Sequence, residues 1–313
     1  MPSPVSVLGL GTMGHGIAQT FAVAGFDVRA FDEHPATRAS ALERIRTNLQ
    51  AFVSAELLAA DQVEPILSRL MICESEADAL AGSTFVTEAI REDLPTKVEL
   101  FARIEPLVAE ETILASNSST FPISQSGARL RHPERAIITH WFNPPHLVPL
   151  VEVVPSPQTS AATTDATMAI LRTIGKRPLR LRHELPGFLV NRIQVALMRE
   201  TWDLLERGVA DAADIDEALR ASVGFRLAAV GPLEVHDFGG LDIQATVFQN
   251  LVPEIRSSTA LPTIVERLVS AGHLGAKSGR GFQDYPPEKL ARRQARRDTL
   301  FLKLFKLLWR DSE

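Results

Sequence analysis

One cysteine, Cys73, stands in a chain of 313 residues, and that scarcity removes whole classes of protein. No intramolecular disulfide framework can form, and no all-cysteine metal site can be built within one chain. Charge of one sign is scarce as well. With 33 Lys and Arg against 38 Asp and Glu, the formal net charge is -5, which offers nucleic acid no general attraction. A basic leader is missing: Met1-Pro2-Ser3-Pro4 runs straight into a short apolar strand, so no signal peptide is expected. Glycines interrupt the segment that follows, which argues against a membrane span. The expectation is a cytoplasmic protein with neither nucleic acid nor membrane as partner.

What is present is a globular composition, 45% hydrophobic and 23% charged, long enough for two domains. Val5 to Leu8 read as a buried strand, followed by Gly9-Leu10-Gly11-Thr12-Met13-Gly14 and a helix from His15 to Ala24. Strand, glycine turn and helix come in the order of a dinucleotide fingerprint. Gly9 allows the tight turn, Gly11 lets the backbone approach a pyrophosphate, and Gly14 lets helix and sheet pack closely. Free N–H groups at the helix start would face the phosphates. A second strand, Asp27 to Phe31, ends at Asp32, whose carboxylate can accept from both ribose hydroxyls and would repel a 2'-phosphate. The expected cofactor is therefore NAD; Arg29 and Arg38 keep NADP as the alternative.

One or two helical stretches are expected over 36–60, then apolar runs at 84–87, 112–115 and 136–139, separated by helical patterns such as Pro95 to Val108. This alternation predicts an α/β fold, a mostly parallel Rossmann-like sheet with helices on both faces. Ligands collect beyond the carboxyl ends of such strands, where Glu88, Ser116 to Ser119 and His140 all fall. His140 precedes Trp141-Phe142-Asn143-Pro144-Pro145, and an apolar strand from Pro149 to Val154 returns carrying a single charge, Glu152. A histidine held by a carboxylate is a competent general base near neutral pH, as removal of a hydroxyl proton during hydride transfer requires. The same residues also fit a structural histidine at a turn and a cross-strand partner of an arginine.

Over nearly its whole length the sequence resembles the L-3-hydroxyacyl-CoA dehydrogenase family. The resemblance rests on the glycine turn, Val86-Thr87-Glu88-Ala89-Ile90, Ala115-Ser116-Asn117-Ser118-Ser119, His140-Trp141-Phe142-Asn143-Pro144, Leu150-Val151-Glu152-Val153 and Pro186-Gly187-Phe188-Leu189-Val190-Asn191-Arg192. Gly231-Pro232-Leu233-Glu234 and Gly275 through Phe282 extend it. It implies that His140 is the catalytic base with Glu152 as its partner, and that Ser119 and Asn191 hold the substrate's oxygens. It implies cofactor-side roles for Glu92 and Lys97. A helix cap remains the alternative for Ser119, and a polar residue on a helix face for Asn191.

The stretch His183 to Gly187 reads as a boundary between an NAD-binding domain, 1–184, and an all-helical domain, 185–313, which the resemblance makes the dimer contact and the closure of the substrate cleft. Helices are expected near 188–207, 211–222, 239–254 and 258–271. In the tail, Phe301, Leu304, Phe305 and Leu308 line one helical face with Trp309 beside it, expected to dock on the same chain or a dimer partner.

Two departures bear on substrate. The family's CoA-active members are lysine-rich after the second strand, near the nucleotide end of CoA; residues 48–58 contain neither Lys nor Arg. The segment before Gly231-Pro232 reads Gly224-Phe225-Arg226-Leu227-Ala228-Ala229-Val230 and resembles the branch containing lambda-crystallin (a gulonate 3-dehydrogenase), carnitine dehydrogenase and a pyridine carboxylate dehydrogenase. Arg226 is the candidate grip on a free substrate carboxylate, with an ordinary salt bridge as its alternative. The expected activity is NAD-dependent interconversion of a 3-hydroxy and a 3-oxo group on a small hydroxy acid; the alternatives are a short-chain 3-hydroxyacyl-CoA dehydrogenase and, more remotely, a non-enzymatic crystallin-like protein.

Overall fold

The computed structural model describes residues 4–310. Eight strands form one sheet in the order β3-β2-β1-β4-β5-β6-β7-β8. β1 (Val5–Leu8), β2 (Val28–Phe31), β3 (Leu70–Ile72), β4 (Phe85–Glu88), β5 (Ile113–Ser116) and β6 (Ala136–Trp141) are mutually parallel. β7 (Leu150–Val154) turns antiparallel to β6, and β8 (Arg177–Arg180) runs parallel to β7. The first six strands follow the doubly wound Rossmann order, in which the chain reverses direction between β1 and β4 and leaves a crevice above their carboxyl ends. β1, β4 and β5 are buried along their whole length, as expected of strands covered by helices on both faces.

Helix α1 (Gly14–Val23) and helix α2 (Pro35–Ser54) follow the first two strands. Pro35 sits in the first turn of α2, where its missing N–H costs nothing, and Ala41, Ile45 and Leu49 form the buried stripe. Residues 36–60 thus carry one long helix rather than two. β3 has no counterpart among the apolar runs of the sequence: it is three residues long and Met71 is 58% exposed, so its pattern is too short to register.

The chain divides into two compact units, Met1–Asn191 with Thr299–Glu313, and Arg192–Asp298. The chain end therefore groups with the sheet, whereas the sequence reading assigned all of 185–313 to the second domain. The second unit is helical, with Ala212–Leu219, Pro232–Gly239, Leu241–Leu251 and Thr263–Ser270 among its helices. Arg256 ties it together, bonding Asp203 at 3.0 Å and lying 3.5 Å from Glu206, which in turn accepts from the Ile264 N–H.

The tail corrects one expectation in detail. Leu302 is buried and Phe305 packs beside it, while Phe301 and Leu304 are exposed. Phe305 of the predicted stripe does pack there, but its buried companion is Leu302 rather than Phe301 or Leu304, so the docking ridge is the i, i+3 pair 302 and 305. The side chain of Trp309 lies outside the described residues.

Candidate active site

The antiparallel register of β6 and β7 sets His140 directly opposite Glu152. Cross-strand partners share a face, and a slip of one residue would turn either side chain away. Here His140 Nδ1 and Glu152 Oε2 are 2.7 Å apart. The other carboxylate oxygen, Oε1, accepts the N–H groups of Leu189 at 3.1 Å and Val190 at 2.9 Å, where the helix Val190–Glu206 begins. A fully buried carboxylate is thus satisfied on both sides. Because Nδ1 is engaged, Nε2 is the nitrogen left to face a ligand, and a Nδ1–H donated to the carboxylate makes it a base. Two aromatic rings flank the imidazole: Phe142 at 4.6 Å and Phe188 at 5.4 Å between ring centres. Phe188 is fully buried and holds φ at 51°. The sequence showed it only as part of the Pro186 to Arg192 motif, since its role follows from a left-handed backbone that turns the ring onto His140.

A second cluster lies at the ends of β4 and β5. Glu92 Oε1 accepts from the Ser118 hydroxyl at 2.7 Å and from the N–H groups of Ser119 and Thr120, both at 2.8 Å. Burial works against its charge, but the bonds from Ser118 and Thr120 and the nearby Lys97 ammonium prevail and hold its pKa below the ordinary value. Lys97 is completely buried; its Nζ bonds both oxygens of Glu88, at 2.8 and 2.9 Å, and stands 3.5 Å from Glu92. The Ser116 hydroxyl also donates to Glu88. Lys97 therefore lies beneath the site surface, and Glu92 clamps the loop that presents Ser119. Asn191 Nδ2 donates to the Ser119 carbonyl at 3.0 Å, so the structure brings these two together. Among the described residues the Ser119 hydroxyl has no partner.

The glycine turn supplies the third component. Gly9 has φ of 89°, and a Cβ there would meet the Ala89 carbonyl oxygen at 2.7 Å. At Gly14 a Cβ would lie 1.6 Å from the Gly9 carbonyl oxygen, whereas at Gly11 it would meet nothing within 4 Å. Gly11 thus borders open space on the side where a ligand could approach. Thr12 and Met13 complete the turn, Met13 flanking the first residue of α1. Asp32 Oδ2 accepts the Leu10 N–H at 2.7 Å and Oδ1 the His34 N–H at 2.9 Å. Each oxygen keeps a lone pair for a ribose hydroxyl, so the residues present fit a dinucleotide. Arg44, which no sequence pattern singled out, grips this turn from α2 by donating to the carbonyls of Leu10 at 2.7 Å and Gly11 at 3.3 Å. Burial, set against a bond to the Gly11 carbonyl, pushes the pKa of the neighbouring His15 down.

Lys176 supports the loop after His140. It is 6% exposed, donates to the carbonyls of Pro145 at 2.5 Å and Val148 at 2.9 Å, and stands 5.2 Å from the Trp141 ring centre. Burial without a carboxylate partner lowers its pKa from 10.5 to about 7. The unfolded chain holds this proton up to the ordinary value and the folded chain loses it near 7. The group therefore contributes stability that rises with pH between about 7 and 10.5. Lys176→Met is expected to flatten that rise, read by urea unfolding near both ends of the window. Equal pH slopes in the two proteins would contradict it.

Residues 4–184 match the model of the 3-hydroxyacyl-CoA dehydrogenase NAD-binding domain, and 187–285 match that family's C-terminal domain. The chain belongs to the 3-hydroxyacyl-CoA dehydrogenase family. It is an NAD-dependent dehydrogenase acting on a CH–OH group. The 5-formyl-3-hydroxy-2-methylpyridine 4-carboxylate 5-dehydrogenase of Mesorhizobium japonicum is 34% identical over 294 residues, 94% of each chain. Rabbit (Oryctolagus cuniculus) lambda-crystallin is 37% identical over 231 residues, covering 74% of this chain and 72% of its own. Among solved structures, a pyridine carboxylate 5-dehydrogenase described as an NAD+ dependent dismutase superposes with a TM-score of 0.91 at 32% identity, over 98% of this chain and 99% of its own. The (S)-3-hydroxybutyryl-CoA dehydrogenase of Ralstonia eutropha gives 0.74 at 32% identity, over 90% of this dehydrogenase and 99% of its own chain.

Arg226 lies in the helical unit, in the short helix Phe225–Leu227, with its side chain exposed. Among the described residues it forms no salt bridge.

Proposed function

We propose that this dehydrogenase interconverts a 3-hydroxy and a 3-oxo group on a small free hydroxy acid, with His140 as acid and base. The observation that carries the acid/base assignment is the buried 2.7 Å contact between His140 and Glu152, whose second oxygen is tied down by backbone N–H groups. NAD, held by the glycine turn and Asp32, would supply the acceptor for the hydride of the carbinol carbon. His140 Nε2 receives the hydroxyl proton, and Glu152 holds the ring in the correct tautomer and stabilises the imidazolium that results. In reduction the protonated ring donates to the oxo oxygen. Ser119 orients that oxygen, and Asn191, whose Nδ2 donates to the Ser119 carbonyl, steadies that backbone and keeps its second N–H for the neighbouring carbonyl. Glu92, itself fixed by Lys97, keeps the Ser119 loop in register. Gly9, Gly11, Thr12, Met13 and Gly14 would receive the pyrophosphate, and Asp32 the adenosine ribose.

A free acid is favoured over a CoA ester because the pyridine carboxylate dehydrogenase superposes at a TM-score of 0.91, against 0.74 for the (S)-3-hydroxybutyryl-CoA dehydrogenase. Arg226 is assigned to the substrate carboxylate, a planar fork suited to bidentate pairing. Arg226→Met is expected to raise KM for the free acid by roughly 10- to 100-fold, since a charge-assisted bond contributes about 1.5–3 kcal/mol, with little change in NADH affinity. Unchanged KM on the best free acid would remove Arg226 from the site.

The protein is further proposed to act in the cytoplasm as a homodimer. Support for the dimer is the apolar surface that the helical unit leaves uncovered in the single chain, where Phe225, Leu233 and Phe238 are each more than three-quarters exposed (76%, 77% and 76%).

A further inference from the structure

The last turns of the chain lie against the loop that follows His140. Leu302 packs with Leu57, just beyond the end of α2, and with Leu147 in that loop; Phe52, Ala55 and Phe305 close around them. Lys306 adds an ion pair to Glu56 at 3.5 Å. The same loop rests its Pro145 on Gly16 of α1 and sets the His146 ring 6.0 Å from that of Phe52. The chain end thus packs apolar side chains against both the end of α2 and the loop that follows the catalytic strand.

This segment lies beyond residue 285, where the family's C-terminal model stops.

We infer that residues 299–305 form a specificity-determining strap, which seats Leu302 and Phe305 between α2 and the loop after His140 and closes that side of the site to substrates with a long phosphate-bearing tail. The inference rests on the free-acid reading and supplies its physical cause. An apolar plug offers a pantetheine-like arm no hydrogen bonds, and a ligand passing there must expose Leu302. Residues 48–58 carry one charge, Glu56, of the same sign as a phosphate and already paired with Lys306.

The test compares the unaltered chain with a full-length Leu302→Asp/Phe305→Ser variant and with a chain ending at Asp298. The readouts are kcat/KM for acetoacetyl-CoA reduction and NADH affinity by fluorescence. The unaltered chain is expected to reduce acetoacetyl-CoA poorly, and both variants to gain about tenfold or more with NADH affinity retained. If the truncated chain fails to bind NADH, the full-length variant decides, with Leu302→Ala as its milder form. No gain in a variant that binds NADH normally overturns the strap and leaves the free-acid reading standing. Efficient turnover of acetoacetyl-CoA by the unaltered chain, at or above roughly 10⁴ M⁻¹ s⁻¹, overturns both.

Discussion

His140→Gln lowers kcat by roughly three orders of magnitude while leaving NADH affinity within about twofold, the range for removing a positioned general acid or base. Glutamine keeps a polar terminus of similar reach between the Phe142 and Phe188 rings but takes up no proton at neutral pH. Glu152→Gln acts through the same ring and also on the fold. Its carboxylate accepts on both sides, from His140 and from the Leu189 and Val190 N–H groups. An amide has one acceptor oxygen and one NH2, so either the NH2 opposes the two backbone donors or it opposes the Nδ1–H of His140. A conflict at a buried donor costs about 1–3 kcal/mol, so a lowered Tm should accompany a fall in kcat of roughly 10²-fold or more. Steady-state kinetics, NADH fluorescence and a thermal melt on both variants read these effects together. Retained kcat in His140→Gln would remove it from the chemistry; a purely thermal effect in Glu152→Gln would make that residue structural.

The glycine turn gives the second large effect, and it separates folding from binding. Gly14→Ala forces a Cβ to within 1.6 Å of the Gly9 carbonyl oxygen, a backbone atom with no freedom to swing away. The turn must open, at a cost of roughly 3 kcal/mol, and NADH binding should fall with it. In Gly11→Ala the added methyl meets no protein atom within 4 Å, so the fold should be indifferent to it. Its expected effect is confined to the cofactor, whose pyrophosphate would otherwise approach the bare backbone. A thermal melt should therefore shift strongly for Gly14→Ala and scarcely for Gly11→Ala, with NADH affinity reduced in both. Normal NADH affinity in Gly11→Ala would contradict that placement of the pyrophosphate.

Much of this was legible before any coordinates, for a physical reason that differs from element to element. β1, the glycine turn and α1 are contiguous, and their steric demands are written locally. The apolar runs that became β4, β5 and β6 stand out because each is bounded by helix-length segments. His140 and Glu152 could be nominated singly, but their pairing depends on β7 reversing direction against β6 and on its register, which no local pattern encodes. The roles of Arg44 and Phe188 were not legible because their contacts are long-range or depend on an unusual backbone angle. The resemblance alone suggested cofactor-side roles for Glu92 and Lys97; in the structure Lys97 is enclosed with Glu88, and Glu92 is bonded to the Ser119 loop. In the tail, helical periodicity identified an apolar stripe that includes the docked Phe305 but passed over Leu302, the residue buried deepest there.

Lys176 and the C-terminal segment share a consequence. Both hold the loop between His140 and β7, one through the carbonyls of Pro145 and Val148, the other through Leu147. That loop also touches α1 at Gly16, so the catalytic strand, the cofactor helix and the chain end meet at one place. A change in any of these supports is expected to alter substrate range or stability before it alters hydride chemistry.

The most direct measurement is the initial rate of NADH formation by the unaltered enzyme, at fixed NAD, with a panel of small free 3-hydroxy acids beside (S)-3-hydroxybutyryl-CoA. A higher kcat/KM on at least one free acid than on the CoA ester, abolished by His140→Gln, is the predicted result. Preference for the CoA ester, or NADH formation that survives loss of His140, would contradict the account.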